Sequence, residues 1–185
     1  MIRSVALAAA VSLLAIPVSA AAADTTLSAF QSICWGTSDD YLASLAAAKA
    51  GGWSETEVTG GDEDGVSITD KAALEKPGDN GGRMTLLVTR GIRHISSGDL
   101  KVTTCKISYD KAIPALASEA KAWIGGAADG GDAVLAVYYV AMTPGTPNHV
   151  GKAGMNAALA AGGISILKFQ QDSDAAILVD QSYSK

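Results

Sequence analysis

RMTLLVTRGIRHISSGDLKVTTCKISY, Arg83 to Tyr109, decides the fold. Its two ends, Arg83 to Arg90 and Asp99 to Tyr109, are rich in Leu, Val, Ile and Thr and read as strands. They flank the loop Gly91 to Gly98, so they pair as antiparallel neighbours. An antiparallel pair at the centre of the chain makes the sheet mainly antiparallel. What lies on either side then sets the class.

On the N-terminal side stand two helices. In Thr25 to Cys34, Leu27, Phe30, Ile33 and Cys34 fall on one face and Gly36 ends the run. The second helix has Ser38 as N-cap and Asp39 and Asp40 in its first turn. Tyr41, Leu42, Leu45 and Ala46 form its buried stripe, and Gly51-Gly52 stops it. Trp53 to Val58 and Val66 to Thr69 read as short strands about an acidic turn, Gly60 to Gly65, and Lys76 to Gly82 as a loop.

On the C-terminal side a helix covers about Lys111 to Ile124, with Pro114 in its first turn. The apolar run Ala133 to Met142 reads as a central strand. Asn148 to Ala161 is a weaker fourth helix, its glycines counting against it. Ile164 to Gln170 and Ala175 to Ser182 form a closing hairpin. Strands clustered between helices give an α+β domain, one mainly antiparallel sheet with helices packed on a face, spanning residues 24–185.

Met1 to Ala23 has the pattern of a secretory signal peptide. Arg3 supplies the positive end, Val5 to Ile16 the apolar run, and the alanines before Asp24 a cleavage frame near Ala23. The expected location is the periplasm or the exterior. No later apolar stretch reaches membrane length, so no membrane span is expected. Removing the leader leaves roughly 160 residues, enough for one domain with a real core. The full chain carries a formal charge of −5; losing Arg3 leaves 13 basic against 19 acidic side chains, hence −6. That balance excludes the basic footprint of a general nucleic-acid binder.

Cys34 and Cys105 are the only cysteines, and in an oxidising compartment the pair reads as one disulfide. A redox or metal role has no C-x-x-C and no His at ligand spacing to support it. No metal or cofactor is expected. Gly145 to Lys152 resembles a phosphate loop, but Ala153 stands where Ser or Thr must hold magnesium. Asp62 to Gly65 resembles part of a calcium loop and lacks two of the carboxylate ligands. S-x-x-K occurs at Ser118, Ser165 and Ser182 without its companion elements. The two histidines, His94 and His149, belong to no recognisable triad.

One local concentration of positive charge remains, Arg90-Gly91-Ile92-Arg93-His94. If Gly91 turns the chain sharply, Arg90, Arg93 and His94 converge and grip a carboxylate or phosphate. The alternative is a solvated hairpin end whose arginines pair with nearby acids.

The opening Phe30-x-x-x-Cys34, then Asp39, Ala46-Ala47-Ala48 and Gly52-Trp53, resembles the start of small exported alphaproteobacterial proteins of unknown function. The resemblance implies an exported single-domain protein and carries no activity. The residues favour a non-catalytic periplasmic or secreted protein that binds a protein or small anionic ligand, or acts at the envelope. The alternative is a small periplasmic hydrolase or transferase whose site is assembled from scattered residues.

Overall fold

The computed structural model describes residues 25–38 and 40–185. Residues 1–24, on which the expected signal peptide falls, and Asp39 lie outside the described residues. Among the described residues the chain forms four helices and a nine-stranded sheet. The helices are α1 (Thr25–Ile33), α2 (Tyr41–Ala50), α3 (Leu116–Ile124) and α4 (Gly151–Ala161). The long strands are β2 (Ser67–Pro77), β3 (Arg83–Ile95), β4 (Gly98–Tyr109), β6 (Leu135–Ala141), β8 (Ile164–Gln171) and β9 (Ala176–Ser184). Three short ones, β1 (Ser54–Thr56), β5 (Gly130–Gly131) and β7 (Asn148–His149), trim the edges. Strand order is β1-β2-β3-β4-β9-β8-β6-β5, with β7 also on β6, and each pairing is antiparallel. The α+β class follows.

The β3–β4 hairpin is longer than the sequence suggests. Its ladder runs without a break from Met84↔Tyr109 to Ile95↔Gly98, so Gly91 to Ile95 are strand and not loop. Gly91 stays extended because its missing side chain makes room for the preceding strand. A Cβ there would lie 2.5 Å from the Ser67 carbonyl oxygen and 2.8 Å from Val66 Cγ1. The local irregularity is in β2, whose register shifts between Ile68 and Asp70.

Alternation sorts the side chains onto two faces. On the first face, Leu74, Met84, Leu86, Val88, Cys105, Ile107, Leu167, Phe169 and Leu178 meet α1, α2 and α3 in the main core. Phe30 of α1 is fully buried there, edge-on to Phe169 and Trp123. Cys34 bonds to Cys105, with Cα atoms 5.4 Å apart, and ties the end of α1 to β4. On the second face α4 packs Met155, Ala158 and Leu159 against Leu100, Val102, Tyr139, Ile164 and Tyr183. Helices therefore lie on both faces, three on one and one on the other.

Several local expectations shift for identifiable reasons. Asp40, not Ser38, caps α2, accepting the Ala43 N–H at 2.8 Å. The helix starts at Tyr41, two residues later than a Ser38 cap implies, and Leu42 and Ala46 point outward while Ser44 and Ala48 point inward, packed beside the half-buried Tyr41 and Leu45. α3 begins at Leu116, leaving Pro114 outside it. β6 is not central: it pairs on its outer side with the two-residue strands β5 and β7. Its apolar run meets the main core on one face at Ala136, Tyr138 and Val140, and α4 on the other at Tyr139 and Ala141.

Candidate functional site

The strand parity that builds the core also separates the basic cluster. Arg90 and His94 point to the first face and Arg93 to the second, so the three side chains do not converge. Each meets its own acid. Arg90 Nε donates to Asp70 Oδ2 at 2.6 Å. Arg93 donates to Glu63 Oε1 at 3.2 Å and to the Asp64 carbonyl, clamping the acidic turn before β2 onto the sheet. Thr104 donates to the second oxygen of the same Glu63. His94 Nδ1 lies 2.7 Å from Asp99 Oδ1 at the exposed hairpin end. Arg93 and His94 thus fit the paired-hairpin alternative.

Arg90 differs, because it also borders a cavity. Its guanidinium lies over the Tyr41 ring, 5.0 Å from the centroid. Burial and the Asp70 charge push the Tyr41 hydroxyl above its ordinary pKa, with Arg90 partly offsetting them. The Arg90 hydrogen bond holds the Asp70 carboxyl below its usual range. Arg90 and Lys101 line a cleft of about 390 Å³, together with Tyr41, Thr103 and Ser184. The carboxylate of Asp40, also in the lining, is occupied in capping α2. Among the described residues Lys101 makes no ion pair, so its ammonium has no carboxylate partner in the cleft.

A second cavity of about 200 Å³ adjoins the first and shares Ser38 and Met142 with it. Trp35, Pro144 and Gly162 line it, so it is largely apolar. The Trp35 indole N–H donates to the Gly145 carbonyl and pins the segment after β6 over the cavity. Ser38, at the junction, holds a left-handed backbone, φ 54° and ψ 39°. A non-glycine residue in that region marks local strain, which recurs at ligand sites. The two cavities lie side by side about Ser38 and Met142, one charged and hydroxyl-lined and the other apolar.

A second polar centre lies at Asp129 and His149, which no motif in the sequence joins. His149 Nε2 lies 2.8 Å from Asp129 Oδ2, and the Tyr139 N–H donates to that same oxygen at 2.9 Å. Burial opposes ionisation of Asp129. The Tyr139, His149 and Lys152 donors outweigh it and hold the carboxyl below its ordinary pKa. Asp129 therefore caps the N-terminus of α4 from a distant loop. A bound phosphate would need this position, so the resemblance of Gly145 to Lys152 to a phosphate loop has no structural counterpart. The other ring nitrogen of His149 packs on backbone: a Cβ at Gly126 would lie 2.5 Å from Nδ1. The dyad thus holds the start of α4 in place.

Among the described residues no cluster of three His, Cys, Asp or Glu could hold a metal ion, and no helix is long and apolar enough to cross a membrane. No protein-family model matches the chain, and no curated protein or solved structure is similar to it.

Proposed function

We propose that this is a non-catalytic extracytoplasmic domain that binds a small amphipathic anion, a carboxylate with a short apolar tail, in the Trp35–Arg90 groove. The carrying observation is the shared wall at Ser38 and Met142. It sets the cavity lined by Lys101 and Arg90 directly beside the one lined by Trp35 and Pro144. Lys101 and Arg90 supply donors for the carboxylate, and the apolar end removes the tail from water. Binding is favoured over catalysis because both histidines face carboxylates outside this groove. Export is supported by the leader pattern of Met1 to Ala23, and the Cys34–Cys105 bond is compatible with it.

The test is calorimetric titration with octanoate at low and moderate ionic strength. Wild type gives saturable heats that weaken with salt, and Lys101→Ala and Arg90→Ala each weaken binding about tenfold. Met142→Ser weakens octanoate binding and leaves acetate binding unchanged. Equal heats in all four proteins overturn the proposal.

A further inference from the structure

We infer that the open half of the second sheet face docks an acidic amphipathic helix of a partner protein. The two faces are unequally covered. Three helices lie over the first, whereas α4 and the clamped Glu63 turn cover only part of the second. The register defines what is left. One cross-strand row runs Lys106–Val179–Lys168–Val137, and the next runs Ser108–Ile177–Gln170–Leu135. All eight side chains are half-buried. The solvated face of an antiparallel sheet is ordinarily polar. Here it carries Leu135, Val137, Ile177 and Val179.

The charges on this patch are both positive, in a chain of net charge −5. Lys168 donates to Gln181 Oε1 at 3.2 Å, and among the described residues neither lysine pairs with a carboxylate. Complementarity therefore calls for an acidic, apolar-faced occupant. A sheet face offers no backbone hydrogen bonds, so the occupant must satisfy its own, which a helix does. Lys106 and Lys168 flank Val179 from adjoining strands, two strand spacings or about 10 Å apart. Carboxylates two helical turns apart match that spacing at about 10.5 Å. A flat membrane fits less well, because α4 stands about 10 Å proud of the sheet beside the patch and holds a bilayer off it.

The probe is a synthetic helix with a leucine face and glutamates two turns apart, followed by fluorescence anisotropy at low ionic strength. A second peptide carries lysines in place of the glutamates. Wild type is expected to bind the glutamate peptide, and Lys106→Glu/Lys168→Glu, folded by circular dichroism, to bind it at least tenfold more weakly. The double variant is expected to prefer the lysine peptide. Lys101→Ala leaves glutamate-peptide binding unchanged, which separates this surface from the groove. Equal affinity of wild type for both peptides overturns the inference. So does binding to phosphatidylglycerol vesicles that the double variant loses while the peptide binds neither protein. Concentration-dependent dimerisation abolished by the double variant would overturn it in favour of a second copy as the occupant.

Discussion

Gly91 shows how one missing side chain positions the groove. Val66 and the Ser67 carbonyl fill the space its Cβ would take, which keeps β3 straight and sends Arg90 to the first face beside Tyr41. Gly91→Ala is expected to cost about 2–3 kcal/mol, an overpacking clash against backbone that cannot rotate away. Urea denaturation measures it; a loss below 0.5 kcal/mol, roughly the scatter for a surface site, would show that the β2 contact yields easily. Trp35→Phe keeps the apolar wall and removes the indole donor to Gly145. It should cost about 1 kcal/mol and loosen the segment after β6, read as faster amide exchange at Met142, whose N–H donates to the Gly163 carbonyl. At this scale the sequence was half legible. The Arg90, Arg93 and His94 cluster is visible as composition, but its dispersal depends on two-residue parity, and that depends on whether Gly91 bends or stays extended. The fact that decides it is Val66, just before β2, packing against Gly91, a non-local contact.

The elements were easier to find than to bound. The α1 stripe of Leu27, Phe30, Ile33 and Cys34 is local periodicity and lies buried as the spacing dictates. β5 and β7 have two residues each, too few for any periodic signal, and they are what moves β6 off the centre. The start of α4 was misplaced because its cap comes from Asp129, twenty-two residues before Gly151. Asp129→Asn is expected to lose about 1–2 kcal/mol at neutral pH, by removing an anion from a helix N-terminus and weakening the His149 contact. The folded state lowers the Asp129 pKa, so its stabilisation is present above the unfolded value of about 3.9 and is lost as pH falls through the folded one. Wild type and Asp129→Asn should therefore differ in urea midpoint at pH 7 and converge once the pH has fallen below the lowered folded-state pKa. A constant difference down to that pH would mean that Asp129 acts through packing and not charge.

Across the whole molecule the disulfide is the one long-range contact that the sequence states outright, because Cys34 and Cys105 have no other candidates. It closes a loop of 71 residues, and the chain-entropy model assigns it about 4 kcal/mol. Cys34→Ser/Cys105→Ser should lower stability by roughly that amount, measured by denaturation of both proteins without reductant; an unchanged midpoint would place the stability in the buried aromatic core alone. The α+β class was legible for the same kind of reason, the order of elements along the chain. The groove was not, because its walls come from α2, β3, β4, β9 and the segments after α1 and β6, which only the folded sheet brings together. The central claim is that this groove binds an amphipathic anion. Its most direct test is an octanoate titration of isotopically labelled protein, followed by amide and side-chain NMR shifts at low ionic strength. Saturable shifts confined to Trp35, Ser38, Tyr41, Arg90, Lys101 and Met142 are predicted; no saturable shift there, or shifts centred elsewhere, would contradict the account.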